Sequence, residues 1–416
     1  AILIPMMPFF VQIIIGFLFF IVIAIPVSDN FKIINYRYIF LGILFQIVLA
    51  LLLLKVPFIT DLFSYLANGV SVLQQATNEG SKFVFGFLGD SQSSSAIIFA
   101  FAILPVIIVM SCISAVLWFW GILPFIVNIF SKICQKLFNI GGPIGLGSAA
   151  NIFVGQVEAP LIIRPYLKNL SKKELLIIMT TGMATVAGSV MVAYVNILED
   201  SFKDVILIQH FLTASILSVP AAIMYSNIMI PSNEITDFEN DNVPKIYEST
   251  MDAITRGTKD GTNIAVSVGA ILITFIALVY IVDSFLGLIP LPNDIELSLQ
   301  LILGYIFAPI AWLMGIPWNE ALISGKLLGI KTALNEFVAY QELSQIESGI
   351  LSQKSMLITF YGLCGFANFA SVGILISGIA SMVPERKNDL IDVAFKALVG
   401  ATLSSCFTGL IIACVI

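Results

Sequence analysis

The stretch Asn151-Ile-Phe-Val-Gly-Gln-Val-Glu158-Ala-Pro160 sets a carboxylic acid in the middle of an otherwise apolar run. A second acid does the same at Leu334-Asn-Glu336-Phe-Val338. A charged side chain at bilayer depth is costly, so it faces a water-filled or protein-lined cavity. Both acids lie in hydrophobic segments broken by Gly and Pro. Interrupted segments in corresponding positions of two halves carry the solute site of secondary transporters.

The rest of the chain agrees with a membrane setting. Of its 416 residues, 58% are hydrophobic and only 11% are charged, with a mean hydropathy of +1.00. A soluble domain carries about a quarter charged residues. The fold class expected is therefore an all-α polytopic membrane protein. The run 2–27 is too long for a signal-peptide core and lacks a basic leading region, so it reads as a first spanning helix. The net charge of −6 does not set orientation, which follows where Lys and Arg lie. Nucleic acid is not an expected partner.

Cys112, Cys134, Cys364, Cys406 and Cys414 show no CxxC spacing and read as small buried hydrophobes. His210 is the single histidine. A transition-metal site or a Ser-His-Asp triad thus has no raw material, and His210 is expected at a helix end near the membrane surface. Gly145-Leu-Gly147 lacks a following Gly-Lys-Ser/Thr, and Gly89-Asp90 lacks the Gly-x-Gly-Asp spacing of an intramembrane protease. An enzyme is not expected.

Eight spanning segments are expected, at 2–27, 39–58, 95–123, 174–198, 204–230, 262–289, 354–383 and 391–416. Residues 60–78 open on Thr60-Asp61, an N-cap pair, and carry apolar residues at helical spacing. They read either as a helix lying in the interface or as one packed in the bundle. Residues 141–167 and 299–341 are apolar yet punctuated by Gly and Pro, and lipid cannot satisfy the backbone groups such breaks expose. Two re-entrant helix-turn-helix hairpins fit them better than continuous spans. Ser232–Asp241, with Glu234, Asp237, Glu239 and Asp241, reads as a solvated loop, and Lys245–Asp260 as a surface helix.

The halves echo each other. Gly182-Met-Ala-Thr-Val-Ala-Gly-Ser189 follows the first hairpin and Gly365-Phe-Ala-Asn-Phe-Ala-Ser371 follows the second. The expected division is 1–123 scaffold helices with an interfacial helix, then 124–230 as the first hairpin repeat. A polar loop and surface helix take 231–261, and 262–416 holds a scaffold helix, the second hairpin and the final two helices.

Taken as side chains, the polar residues of these segments suit a solute with two polar ends. Gln156 offers both a donor and an acceptor, the minimum for reading an amide-like edge. Ionised Glu336 only accepts, and can receive bonds from vicinal hydroxyls. Asn368 and Ser371, three apart on one helix, share a face, and Phe366 can supply an apolar wall. Each has a plainer structural reading. Glu158 can pair with Arg164, Asn368 and Ser371 can hold helices together, Lys326 and Lys331 can snorkel or balance Glu320 and Glu336, and Trp318 can anchor packing.

Four motifs, in order, bring a family into view. Asn151-Ile-Phe-Val-Gly-Gln-Val-Glu-Ala-Pro-Leu-Ile-Ile-Arg-Pro165 is similar to the Gly-Gln-Thr-Glu-Ala-Pro signature of concentrative nucleoside transporters. Gly315-Ile-Pro-Trp-Asn-Glu-Ala321, Asn335-Glu-Phe-Val-Ala339 and Gly365-Phe-Ala-Asn-Phe-Ala-Ser371 also resemble that family. The resemblance implies eight spanning helices, two hairpins and interfacial helices assembled as a homotrimer in the cytoplasmic membrane. It implies cation-driven nucleoside uptake by an elevator-like movement, with no cofactor beyond the coupling ion. It assigns Gln156 and Glu158 to the base with Val190 packing on it, and Glu336, Asn368 and Ser371 to the ribose. Asn151, Val154, Thr185 and Val186 match its sodium positions, the first and third by side chain and the others by carbonyl. A proton carried by Glu158 or Glu336 is the alternative coupling. Val157 departs from the signature Thr; the missing hydroxyl is worth about 0.5–1.5 kcal/mol if it holds the base, so pyrimidine, purine and broad selectivity all stay open.

Overall fold

The structure, a computed structural model, describes residues 8–89, 99–202, 205–236, 246–289, 297–347 and 349–416. The start of the 2–27 run, Asp90, Asp237, Glu239, Asp241 and Lys245 lie outside the described residues. Four helices come first: α1 (Phe9–Val22), α2 (Tyr36–Lys55), α3 (Pro57–Phe85) and the short α4 (Phe99–Ala102). α5 (Leu104–Phe119) and α6 (Ile122–Phe138) follow, bent 75° from each other. The first hairpin is α7 (Gly142–Ala150) with α8 (Glu158–Ile162), and then come α9 (Lys172–Ala184), α10 (Gly188–Leu198) and α11 (Leu207–Met229). Past α12 (Thr250–Leu286) lie α13 (Leu299–Leu313), α14 (Trp318–Ala333), α15 (Glu336–Ser344), α16 (Gln353–Leu363), α17 (Phe369–Met382) and α18 (Lys387–Val415). No β-strand occurs among the described residues.

Two halves repeat one order of parts. Each has an approach helix (α6, α13), a hairpin (α7–α8, α14–α15), a helix broken midway (α9–α10, α16–α17) and a continuous helix (α11, α18). Among the described residues, six helices are long and apolar enough to cross a membrane, or up to eight if each bent pair is one span. They divide by burial. The most apolar window of the α9–α10 segment is 94% buried, whereas that of α12 is only 12% buried. The repeated parts therefore form the packed interior, and α2, α3 and α12 run along its outside.

Local chemistry explains the breaks. Ser171 caps α9 through a capping box with Glu174, and Asn335 caps α15 by accepting the Val338 N–H at 3.0 Å. Between α16 and α17 the chain passes Gly365 at φ +118°, a left-handed region that glycine enters freely. A Cβ there would also lie 2.7 Å from the Ala184 carbonyl oxygen, so this glycine lets the two broken helices touch at their breaks.

Several expectations change. The helix expected at 60–78 runs Pro57–Phe85, its N-cap is Val56, and Thr60 instead bonds back to the Val56 carbonyl. Pro57 at the first helical position starts the helix earlier than the Thr-Asp pair suggests. The surface helix expected up to Asp260 is the beginning of α12, capped by Ser249. Gly257 and Gly261 do not interrupt it; they admit α5, whose Cys112 and Ile108 backbones would lie 2.9 and 2.7 Å from added Cβ atoms. The spans 174–198 and 354–383 are each broken, at 185–187 and 364–368. The 299–341 segment bends by 119° between α13 and α14 and is broken again before α15. His210 does stand at a helix end, in the first turn of α11, with Nδ1 2.8 Å from the Tyr361 hydroxyl.

Candidate functional site

The acids that opened the sequence reading come together. A cavity of about 520 Å³ is lined by the first hairpin's break and by the start of the second hairpin's return helix, α15. Gln156, Val157, Glu158 and Val190 from the first half line it as one wall, and Glu336, Phe366, Asn368 and Ser371 from the second half as the other. All eight candidate solute residues thus line one space.

Glu336 is the first residue of α15, where backbone N–H groups and the helix dipole favour a carboxylate. It is 5% exposed, and both its oxygens are held. The Tyr194 hydroxyl donates to Oε1 at 2.7 Å, and Asn368 Nδ2 donates to Oε2 at 3.0 Å. Asn368 Oδ1 in turn accepts the Ser371 N–H at 2.8 Å and caps α17. Asn368 is thus not on the helix face with Ser371 but at its cap, where it orients Glu336. A carboxylate has about four lone-pair sites, so Glu336 can still accept from a bound hydroxyl.

The facing wall is less complete. Gln156 Oε1 is buried without a partner. Glu158 is half-buried and folds toward Gly155, where a Cβ would lie 2.1 Å from its Oε2. Arg164 is exposed and makes no ion pair with Glu158 among the described residues, so the structural bridge is absent. Val157 packs against α17, where a Cβ on Gly378 would come within 2.8 Å of its methyl. Glu158 also borders a second space of about 120 Å³ with Ser189, Tyr247 and Asp260. Burial pushes the Tyr247 phenol up to about 12, which keeps it a neutral donor.

Behind Gln156 lies the set matched to sodium. Asn151 is fully buried at the end of α7; its Nδ2 donates to Gly147 O at 3.2 Å and Thr181 Oγ1 at 3.3 Å. Its Oδ1 has no partner. Thr185 caps the C-terminus of α9 and donates to Thr181 O at 3.0 Å, and Val186 N–H donates to Ser215 Oγ at 3.2 Å. Gly188 N–H donates to the Phe153 carbonyl at 3.0 Å, tying the hairpin's break to the start of α10. A buried acceptor without a donor, among hydroxyls and helix-end carbonyls, suits a hard cation.

Sequence reasoning missed Tyr194, Thr181 and the α12 residues Asn263 and Ser267 that close the cavity. Tyr194 follows Glu158 by 36 positions in an apolar helix, and nothing local links it to Glu336. Asn263 and Ser267 are four apart and so share a helix face, which is the one signal that could have found them. Lys331 is fully buried rather than snorkelling, and its Nζ donates to Gly362 O at 3.0 Å.

Two broken helices and two re-entrant hairpins around one solute-sized cavity define a secondary membrane transporter. Residues 15–88 and 210–413 match the N- and C-terminal models described as Na+ dependent nucleoside transporter, and 100–201 match one described as nucleoside recognition. The nucleoside permease NupC of Helicobacter pylori is 34% identical over 94% of this chain and 94% of its own. The rat sodium/nucleoside cotransporter 1 is 33% identical over 96% of this chain, which spans 62% of that longer protein. A solved structure of CNTnw in an inward-facing, substrate-bound state superposes with a TM-score of 0.87 at 33% identity, over 97% of this chain and 98% of the other. The chain belongs to the family of Na+-dependent, or concentrative, nucleoside transporters, which are transporters and not enzymes.

Proposed function

We propose that this protein is a sodium-coupled symporter that imports nucleosides across the cytoplasmic membrane, working as a homotrimer. The observation that carries the reading is the single cavity between Gln156–Glu158 and Glu336–Asn368. Its two walls suit the two ends of a nucleoside. Glu336, held by Tyr194 and Asn368, accepts from ribose hydroxyls, and Ser371 lines the same end. Gln156 supplies to the base its side-chain amide, whose buried oxygen has no protein partner among the described residues, with Glu158 beside it and Val190 and Phe366 as apolar walls. Val157 offers methyls to the base where a threonine would offer a hydroxyl.

Sodium is the co-transported ion. Asn151 Oδ1 and the Thr185 hydroxyl, with the carbonyls of Val154 and Val186, hold it between the first hairpin's break and the broken helix α9–α10. Ordering that break also orders Gln156, five residues on. Ion and nucleoside then favour one conformation, which is what coupling requires. The hairpins, broken helices, α11 and α18 move as one body against α2, α3, α5 and α12, in an elevator-like step. Gln12 of α1 donates to Trp312 O and Ile316 O at the turn between α13 and α14, and Gln209 of α11 donates to Leu53 O of α2 at 2.7 Å. Proton coupling is the alternative, favoured by one observation, that Glu158 borders two cavities with no cation paired to it among the described residues.

The deciding experiment is uptake of radiolabelled uridine and adenosine into proteoliposomes with an inward sodium gradient, an inward proton gradient or neither. Accumulation above equilibrium with sodium is expected. Equal uptake with and without both gradients would overturn the symporter.

A further inference from the structure

The second half of the chain contains a fully buried lysine beside its helix break. Lys331 lies two residues before the end of α14 and is 1% exposed. Its Nζ donates to the Gly362 carbonyl at 3.0 Å, in the last turn of α16. That carbonyl is one of those a helix end leaves without an intrahelical partner, and a positive charge there complements the helix dipole. The next free end of the same break is also covered from the side, because Ser405 Oγ of α18 donates to the Cys364 carbonyl at 2.9 Å. The titratable groups facing Lys331 are Cys364, Cys406 and Glu336. No ion pair within 4.0 Å joins Lys331 to Glu336 among the described residues, so the lysine reaches the carboxylate only through space and through the elements it holds.

The corresponding place in the first half is arranged the other way. There Asn151, at the end of α7, presents a buried acceptor with no donor, beside the break of α9–α10. In the second half the Lys331 side chain bridges the hairpin helix to the break of α16–α17, which carries Phe366 and Asn368. We infer that Lys331 is a tethered cation, a positioning residue that keeps the Glu336–Asn368 wall assembled without any bound ion. Sodium is then needed only for the Gln156–Glu158 wall. Removing a nearby buried charge leaves the other less compensated, so neutralising Lys331 weakens Glu336 as a charged acceptor while Tyr194 and Asn368 still hold its oxygens. This rests on the proposed assignment of Glu336 to the ribose.

The test compares uridine with 2′,3′-dideoxyuridine, which lacks the vicinal 2′- and 3′-hydroxyls and keeps the 5′-hydroxyl, by equilibrium binding to the purified full chain in sodium and in choline chloride. Lys331→Gln, which keeps a donor of similar reach, is expected to bind uridine about tenfold more weakly or worse. Its binding of the dideoxy compound changes little, and its stimulation by sodium is kept. Lys331→Arg is expected to lie between Lys331→Gln and the parent. The parent itself is expected to keep its preference for uridine over the dideoxy compound in choline. An unchanged preference in Lys331→Gln, equal loss of both ligands, loss of sodium stimulation, or a parent that prefers uridine only in sodium would each overturn the inference. Should the lysine variants fail to fold, the parent's preference in choline decides alone. Glu336→Gln separates the two levels. If that variant keeps the preference, the ribose assignment itself fails; if it loses the preference while Lys331→Gln keeps it, only the tethered cation fails.

Discussion

Asn151 and Lys331 stand at comparable places, each near the end of the hairpin helix that leads into a break, and they face opposite situations. Around Asn151 the polar groups are in surplus on the acceptor side, and both Asn151 Oδ1 and Gln156 Oε1 are buried without partners. Around Lys331 every named group is engaged. Glu336 has two donors, Asn368 bonds at both ends of its amide, and the carbonyls of Gly362 and Cys364 are capped. An unpartnered buried polar atom costs about 1–3 kcal/mol, so the first wall gains more from filling than the second. One repeated architecture thus gives a wall that is assembled in advance and a wall that its ligands complete. Under the proposed sodium assignment that asymmetry has a use, since the ion's effect falls on one wall while the other supplies a fixed seat.

The comparison breaks most visibly at Glu336. Glu336→Gln removes a charged acceptor from the assembled wall, and charge-assisted bonds are worth about 1.5–3 kcal/mol. Uridine kcat/KM, measured as initial uptake over KM, is expected to fall about 100-fold, with sodium half-saturation little changed; full uptake would remove the ribose role. Asn151→Ala strikes the incomplete wall. Sodium half-saturation is expected to rise about tenfold, as for loss of one good ligand, while binding in sodium-free medium stays near the parent's. Sodium activation curves that superpose on the parent's would sink the ion site. The smallest change is Val157→Thr, isosteric but with a hydroxyl. It is expected to shift the ratio of uridine to adenosine uptake by about 2- to 10-fold, the range of one hydrogen bond. A ratio that does not move would mean that Val157 serves the contact with Gly378 and not the base.

Much of this was legible in the chain. Acids at Glu158 and Glu336 inside apolar runs are improbable unless a cavity receives them, and the Gly and Pro around them mark backbone that cannot sit in lipid. These signals are local and need no partner to be read. The broken helices were harder, because 174–198 and 354–383 are apolar without interruption by proline. Their breaks come from Thr185 turning extended at the end of α9 and from Gly365 and Asn368 ahead of α17. The echo between Gly182–Ser189 and Gly365–Ser371 proved looser than its letters. Thr185 ends one helix while Asn368 begins another, and Gly182 makes room for Gln156 whereas Gly365 makes room for Ala184.

By itself the sequence determined that this is a helical membrane protein with two interrupted, acid-bearing segments, because composition and periodicity decide which faces meet lipid. It also determined which polar residues lie in those segments. Only the tertiary structure decided that Glu158 and Glu336 face one cavity, that Tyr194 and Asn368 hold the second acid, and that Lys331 is buried against Gly362. The hydrogen-bonded pairings among these join residues 31 to 142 positions apart. No local propensity encodes them; they follow from how the two repeated halves pack against each other.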